Sequence, residues 1–239
     1  STPQPSPSPP SIPPSPPPTS TPSPSTGGNP NPVLPVETAV YRINCGQLGA
    51  TYSENGVVRQ GYKDSRGKVW SNDMYYSSNT NVESFFNLQF LEPHPYGIEG
   101  TYDQQILLTE RSSSSSFYYQ LPNIAPGRYL VRLYWAELHN SNFVLFAGYD
   151  QPRTLRGVGV RVFSVNINHQ PRISNVDVFQ SVGPYAQMMR EIWVNVASEG
   201  YIRLDFGKIV DSPMIHAIEV VREMDVVPQQ QLPAGRKQG

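Results

Sequence analysis

The sequence predicts an all-β fold of two packed antiparallel sheets, with one or two short helices and an extended proline-rich segment in front of it. Three observations lead to this prediction. About eight short apolar stretches are separated by turns rich in glycine, proline and serine, a spacing typical of β-sandwiches. Only two stretches have a helical pattern. Finally, 15 of the 25 prolines fall within residues 1–35.

The proline-rich segment, residues 1–35, is predicted to be a stalk or linker. It contains no charged and no aromatic residue, and its only hydrophobic residues are Ile12, Val33 and Leu34, so it cannot bury a core. Its Pro/Ser/Thr composition favours extended polyproline II at about 3.1 Å per residue. Such segments can also bind aromatic-lined grooves, but those ligands usually carry a positive charge, which is absent here.

The clearest strand pattern lies at residues 128–138, where apolar side chains alternate from Tyr129 to Trp135. A second strand is predicted at residues 158–167, and both of its faces are apolar, as expected for an interior strand of a sandwich. Six further strands are predicted at residues 39–45, 105–109, 117–121, 191–196, 201–206 and 215–221.

Two short stretches have a helical pattern. One is residues 176–183, with Ser174 and Asn175 as the candidate cap, and the other is residues 82–90. Together with the strands they predict one folded domain over residues 36–227. Residues 228–239 are polar and have no drive to fold, so we predict a C-terminal tail there.

The charge and cysteine content exclude several classes of protein. Lys and Arg number 18 against 19 acidic residues, a net charge of -1, so the chain lacks the basic surplus that attracts nucleic acid or anionic lipid. No apolar run approaches the ~20 residues that span a bilayer. The single cysteine, Cys45, excludes an internal disulfide. We expect neither nucleic-acid binding nor membrane insertion.

The sequence contains no recognisable catalytic or metal-binding pattern. The serines at positions 112–116 lack the Gly-x-Ser-x-Gly arrangement of a nucleophile elbow, and a hairpin loop explains them better. The four histidines are scattered without metal-binding spacing. His216 and Glu219, three residues apart on a predicted strand, point to opposite faces. We therefore predict a protein that is not an enzyme and holds no metal or cofactor.

Three carboxylates near predicted strand ends are candidates for ligand binding: Asp73, Glu137 and Asp211. Asp73 lies close to Tyr75 and Tyr76. Carboxylates accept hydrogen bonds from sugar hydroxyls while tyrosine rings cover the apolar face of a pyranose, which is the chemistry of a neutral-sugar site. The alternative is structural: Asp73 and Asp211 would satisfy turn amides, and Glu137 would pair with a neighbouring arginine.

Seven short fragments in this chain resemble malectin and malectin-like domains, in the same order and at about the same spacing. Each fragment is weak alone, but seven in register over residues 36–221 are specific. The fragments lie at residues 41–46, 70–73, 109–122, 127–137, 161–168, 175–179 and 211–220.

The resemblance implies a jelly-roll-like β-sandwich without catalytic activity that binds glucose-containing disaccharides. In malectin the sugar is held by aromatic residues and an aspartate in loops at one end of the sandwich. Asp211 matches that aspartate, and Glu137 matches the glutamate of the Ala-Glu pair. Related modules are attached to secreted glycosidases, plant receptor kinases and some cytoskeletal motors.

The sequence departs from malectin at the aromatic positions. The loop tyrosine corresponds to Met74 or, with a one-residue slip, to Tyr75. Ser112 replaces one aromatic, and His139 and Asn140 replace two others. Residues 141–157 look longer than the equivalent connection in malectin and contain three aromatic residues, which either replace the missing rings or form a protein interface.

We therefore predict a non-catalytic carbohydrate-binding module on a proline-rich stalk, which recognises a glycan or a cell-wall or surface polysaccharide. Its predicted contacts are Tyr75, Tyr76, Glu137, His139, Asn140 and Asp211. The alternative is a structural or assembly module that binds a protein partner through residues 141–157 and the stalk.

The stalk composition also favours a location. Similar segments occur in secreted polysaccharidases and in wall proteins, so we expect an extracellular, cell-surface or cell-wall glycoprotein. The chain contains no Asn-x-Ser/Thr sequon, and a cytoplasmic location on a cytoskeletal protein is the alternative.

Overall fold

The computed structural model describes residues 39–84, 97–138 and 157–223. The proline-rich segment, the predicted tail, His139, Asn140 and all but the last residue of the 141–157 insertion lie outside the described residues. The limits of the stalk, domain and tail therefore stay predictions. Within the described ranges, no helix is long and apolar enough to cross a membrane.

The described residues form fifteen β-strands, one α-helix and one short 3-10 helix. In chain order they are β1 Ala39–Asn44, β2 Thr51–Glu54, β3 Val57–Gln60, β4 Tyr62–Lys63, β5 Val69–Trp70, β6 Asn81–Ser84, the 3-10 helix Gln104–Leu107, β7 Thr109–Ser112, β8 Phe117–Leu121, β9 Gly127–Ala136, β10 Val162–Ile167, β11 Gln170–Val176, α1 Val178–Val182, β12 Gln187–Val196, β13 Ile202–Val210, β14 Met214–Ile215 and β15 Ala217–Arg222.

Two four-stranded antiparallel sheets form the sandwich. The first has the strand order β1-β15-β9-β12, and the second has the order β11-β10-β13-β8. A smaller sheet, β14-β7-β6, and the hairpins β2-β3 and β4-β5 complete the described part of the chain. The predicted all-β sandwich of antiparallel sheets is confirmed.

The main core lies between the two large sheets and follows from the alternation along β9. Val131, Leu133 and Trp135 point inward and are fully buried, together with Phe163 of β10 and Phe206 of β13. Burying side chains of this size contributes about 1.5–3 kcal/mol each. The alternation of β9 is therefore the main reason that the two sheets pack face to face.

A second, smaller core covers the other face of the first sheet. Tyr134 of β9 and Ala217 of β15 point away from the sandwich and pack against Trp70, Ile106 and neighbouring apolar residues. The Trp70 and Tyr134 rings meet edge to face, with centroids 5.9 Å apart. As a result β9 is buried on both faces from Tyr129 to Ala136.

A row of alternating charges crosses the outer face of the first sheet, one from each strand. Arg42 of β1 pairs in register with Glu219 of β15, which pairs with Arg132 of β9, which pairs with Glu191 of β12. Glu219 accepts from Arg42 at 2.6 Å, from Arg132 at 3.1 Å and from Lys68 at 3.0 Å. Burial of this carboxylate opposes its ionisation and raises its pKa. The attraction of the three cations is larger, so the Glu219 pKa is lowered to about 2.

Two strand predictions need correction. Residues 105–109 were expected to be a strand, but Gln104–Leu107 form a 3-10 helix because the Asp103 carboxylate accepts from the Gln105 N–H at 3.0 Å. The strand expected at 158–167 begins only at Val162. A turn closed by the Val160 N–H and the Gly157 carbonyl at 3.1 Å precedes it.

The helix predictions were right in one case and wrong in the other. Residues 176–183 do contain the helix α1, but Asp177 caps it by accepting from the Gln180 N–H at 2.8 Å. The expected caps, Ser174 and Asn175, still belong to β11. The helix expected at 82–90 is wrong at its start, where β6 pairs with β7, and residues 85–90 lie outside the described residues.

Replacing Glu219 by glutamine should lower the free energy of unfolding at pH 7 by about 3 kcal/mol, because three cations whose side chains are at most 12% exposed lose a shared, buried counter-charge. The folded pKa of about 2 lies below the ordinary value of 4.5. This contribution is therefore present above pH 4.5 and is lost as the pH falls toward 2. Urea denaturation as a function of pH measures both effects.

Glu54→Gln is the matched control for this prediction. Glu54 also pairs with two cations, Lys63 at 2.9 Å and Arg59 at 3.1 Å, but its side chain is 33% exposed, so only a small loss of stability is expected. Equal stability of Glu219→Gln and Glu54→Gln at pH 7 would contradict the structural role of Glu219.

Candidate functional site

Residues 75–77 run along the free edge of β8 and extend the second sheet. The Gln120 N–H donates to the Tyr75 carbonyl and the Ser77 N–H donates to the Tyr118 carbonyl, both at 2.9 Å. Tyr76 lies opposite Tyr119 in an antiparallel bridge. Tyr75 and Tyr76 are therefore held by backbone hydrogen bonds and do not sit on a free loop.

The two tyrosine rings are partly exposed, and each also contacts a neighbouring side chain. Tyr75 is 41% exposed, and its ring meets the edge of Tyr41 at a centroid distance of 5.6 Å. The Tyr41 hydroxyl donates to the Pro122 carbonyl at 2.6 Å. Burial, and then the neighbouring Tyr75, raise the pKa of Tyr41 to about 12, so this support stays protonated at neutral pH. Tyr76 is 37% exposed.

Arg111 and Asp73 fix the second ring. The Arg111 guanidinium lies 3.4 Å from the centroid of the Tyr76 ring, and its Nε donates to Asp73 at 2.5 Å. Asp73 also accepts from the Tyr119 hydroxyl at 2.8 Å and from the Gly46 N–H at 2.7 Å. The buried carboxylate thus connects four parts of the chain and holds Arg111 against Tyr76.

Asp73 therefore has a supporting position in the structure, although the sequence suggested it as a ligand contact. Its side chain is fully buried. Burial raises the pKa of Asp73 above its ordinary value, against the opposing effects of Arg111 and the hydrogen bonds from Gly46 and Tyr119. No local sequence pattern indicates the pairing with Arg111, because the two residues are 38 positions apart.

Asp211 lies in the turn between β13 and β14, next to the end of β7. β14 pairs with β7 at Ser112, and the following Ser113 N–H donates to the Pro213 carbonyl at 3.3 Å. On its other side, the Ser113 hydroxyl donates to the Asn79 carbonyl at 2.6 Å. The segment that follows the two tyrosines and the turn that contains Asp211 therefore flank the same end of β7.

Glu137 lies in the interior and not at the surface. Only 1% of the residue is exposed, and its carboxylate is 3.6 Å from the Arg161 Nε. Arg161 is also 3.4 Å from Glu110, which lies 3.6 Å from His216. In sequence, Glu137 directly follows β9 and Arg161 lies four residues after Gly157, so the cluster joins the described residues on the two sides of 139–156. His139 and Asn140 lie outside the described residues.

The described residues provide no metal centre. No group of three or more His, Cys, Asp or Glu side chains within the described ranges could hold a metal ion. Cys45 is buried beside Asp73, and burial raises its thiol pKa well above the ordinary value, so it is no candidate for a reactive thiolate. We call the region of Tyr75, Tyr76 and the turn that contains Asp211 the loop end; its exposed rings can stack on a ligand and its carboxylate can accept hydrogen bonds.

Gly46 connects the supporting network to β7, and Gly46→Ala should disrupt it. A Cβ at Gly46 would lie 2.5 Å from the Glu110 carbonyl, and the residue has φ +80°. We expect a loss of about 3 kcal/mol or more in the free energy of unfolding, from left-handed strain together with weakening of the bond to Asp73. Chemical denaturation provides the measurement.

Gly49→Ala is the control, because Gly49 has nearly the same φ, +76°, and open space around its Cβ position. Its free energy of unfolding should fall by only about 1–2 kcal/mol, the cost of left-handed backbone strain. The role of Gly46 is refuted if both variants lose the same amount.

The comparisons with known proteins agree with the fold. The family model of the Malectin domain matches residues 39–218. The extracellular domain of ANXUR1 from Arabidopsis thaliana superimposes with a TM-score of 0.56 at 16% identity, covering 77% of this chain and 48% of that one. The structure titled plant peptide RALF23 in complex with FER and LLG2 gives 0.54 at 18% identity, covering 78% and 50%.

One curated relative, the kinesin-like protein KIN-14R of Arabidopsis thaliana, is 32% identical over 104 residues. The match covers 43% of this chain and only 8% of the relative, and this chain spans about half of the receptor structures. At these identities the solved structures show a shared fold. Because the family model covers most of the sequence, the resemblance noted there is confirmed, and the chain belongs to the malectin domain family.

Proposed function

We propose that this chain is a non-catalytic carbohydrate-binding module that recognises a glycan or a cell-wall or surface polysaccharide at the loop end near Tyr75, Tyr76 and Asp211. The observation that carries the proposal is the pair of exposed tyrosine rings held by backbone pairing along β8. Rings that are already ordered bind a sugar face without further loss of conformational entropy.

The chemistry of the loop end fits a neutral sugar. Arg111 neutralises the buried Asp73 at 2.5 Å and covers Tyr76, so its charge is already compensated. Exposed ring faces stack on the apolar face of a pyranose, and the carboxylate of Asp211 accepts hydrogen bonds from hydroxyls. A uronic acid would bring a negative charge to a site whose cation is already paired.

The remaining predicted contacts have different roles in this proposal. Glu137, paired with Arg161 in the interior, positions the end of β9. His139 and Asn140 come two and three residues after Glu137 in the sequence, and in this proposal they bind sugar hydroxyls at positions where malectin has aromatic residues. The proline-rich segment, residues 1–35, serves as the stalk that presents the domain, in an extracellular or cell-surface glycoprotein.

Titration calorimetry with gluco-oligosaccharides tests the proposal. Tyr75→Ala and Tyr76→Ala should each weaken binding by roughly two- to twelvefold, because each removes a stacking surface worth about 0.5–1.5 kcal/mol. Tyr52→Ala, on the β2-β3 hairpin, should leave the affinity unchanged. If the folded wild-type chain binds no gluco-oligosaccharide at about 1 mM, the proposal fails.

A second candidate function is protein binding, as a structural or assembly module that uses the 141–157 insertion and the stalk. Two observations favour it. The curated relative is a kinesin-like protein, which also suggests a cytoplasmic setting. Val158, Ile209 and Val210 are 63%, 50% and 43% exposed, and Val210 pairs with Val162 of β10, so apolar side chains adjoin the end of the insertion.

Cross-linking mass spectrometry of the native protein separates the two candidates. The first predicts hydroxyproline or O-glycans on residues 1–35 and no specific cross-link from Lys208. The second predicts an unmodified segment and a cross-link to a cytoskeletal protein from Lys208, which pairs with Phe163 of β10; deletion of residues 141–157 should abolish this cross-link, and added saccharides should not change it. Each result contradicts the other candidate.

A further inference from the structure

The outer face of the first sheet holds a cavity of about 360 Å³. It lies between the turn before β5 and the stretch that leads into the 3-10 helix, and it is lined by Trp70, Tyr134, Met189, Tyr102, Arg66 and Glu191. Its volume is within the range of about 300–1,000 Å³ that is usual for small-molecule sites. This face points away from the second sheet, which carries Tyr75 and Tyr76 along β8.

Two partly buried carboxylates link the walls of the cavity. Asp103 accepts from the Tyr62 hydroxyl at 2.6 Å and from the Ser65 N–H at 3.1 Å, which joins the two walls. Asp64 accepts from the Trp70 indole at 3.0 Å and from two backbone N–H groups. Both carboxylates are therefore occupied by protein donors, and they hold the cavity in one shape.

The other charges that line the cavity are also compensated within the protein. Lys68 donates to Glu219 at 3.0 Å, and Glu191 accepts from Arg132 at 2.7 Å. The Arg66 guanidinium lies 3.2 Å from the centroid of the Tyr102 ring. An anionic ligand would meet repulsion from the three lining carboxylates Asp64, Asp103 and Glu191. These outnumber Arg66, whose guanidinium packs on the Tyr102 ring, whereas a neutral polar ligand avoids this repulsion.

Hydrogen-bonding capacity remains at the rim. The Glu191 side chain is 43% exposed, and a carboxylate can accept about four hydrogen bonds. The Arg66 guanidinium has five N–H donors. Tyr102 is 48% exposed and offers an aromatic face or edge beside them. Acceptors, donors and a ring around one cavity suit a compact ligand with many hydroxyl groups and one apolar face.

The geometry points to a second carbohydrate site in this cavity, which takes a neutral saccharide of one or two rings. It is separate from the loop-end site, since it is built on the other large sheet by residues of the 64–70 turn, the 100–106 stretch and β12. Tyr102 and Arg66 stack on or beside the sugar, Glu191 accepts from its hydroxyls, and Trp70 forms part of the floor.

The three tryptophan indoles allow a direct test by ¹H–¹⁵N NMR. The Trp70 indole donates to Asp64 in the cavity wall, whereas the Trp135 indole donates to the Met214 carbonyl in the main core. Titration with cellobiose and with maltose, each to about 10 mM, should shift the Trp70 signal saturably for at least one of them. The Trp135 signal should stay in place, and digalacturonate should bind more weakly.

Three variants test whether the saccharide that shifts the Trp70 signal binds in this cavity. Tyr102→Ala should weaken the binding reported by Trp70 by roughly tenfold, and Glu191→Gln should weaken it to a smaller extent. Tyr118→Ala is the matched control, because Tyr118 lies under Arg203 at 3.7 Å in the same type of cation–π pair on the second sheet. Tyr118→Ala should leave the titration unchanged.

Tyr75→Ala distinguishes this site from the loop end, because it should weaken binding there and leave the Trp70 titration intact. The second site is overturned if neither neutral disaccharide shifts Trp70, if Tyr102→Ala binds as tightly as the wild type, or if digalacturonate binds more tightly. It is also overturned if Tyr75→Ala abolishes the Trp70 response, since one loop-end site would then explain both signals.

Discussion

Three cations from distant parts of the chain meet at the carboxylate of Glu219. Arg42 comes from β1, Lys68 from the turn before β5, and Arg132 from β9. Since Glu219 is completely buried, none of these charges can exchange its partner for water without a large cost. A one-residue slip of β15 would turn Glu219 toward the apolar core of the sandwich. The register of the first sheet therefore depends on this cluster.

The same cluster explains why the first sheet has two different buried faces. Toward the second sheet, β9 presents Leu133 and Trp135 to an apolar core. On the outer face, Arg132 and Tyr134 stand beside Glu219, and the Tyr134 hydroxyl donates to Glu219 at 3.0 Å. The outer face thus combines fixed charges with aromatic rings. A polar cavity can persist there because its ionic groups already have protein partners.

The sequence was informative where local pattern decides structure. β8 was predicted at its observed limits, Phe117–Leu121, because its alternation is regular. The 3-10 helix at Gln104–Leu107 was missed because one cap residue, Asp103, overrides an apolar stretch. The β2-β3 hairpin was missed because its residues are largely exposed and carry no core pattern.

The sites were harder to predict, because they are assembled across long sequence distances. Tyr75 and Tyr76 could be proposed from their position near Asp73, but the contact of Tyr76 with Arg111 depends on tertiary structure. The burial of Glu137 beside Arg161 could not be derived from the strand end on which it lies. The cavity on the first sheet left no local signal, since four separate segments line it.

The two candidate sites share one arrangement: carboxylates bonded to protein donors support an exposed aromatic ring. At the loop end the Asp73–Arg111 pair is buried and Tyr76 is exposed; at the cavity Asp103 is occupied by internal donors and Tyr102 is exposed. Charges that are compensated inside the protein position aromatic surfaces but contribute little long-range attraction. Binding at either site would therefore rest on stacking and hydrogen bonds, which salt screens far less than it screens exposed charges. A domain built in this way discriminates by the shape and hydroxyl pattern of a neutral ligand.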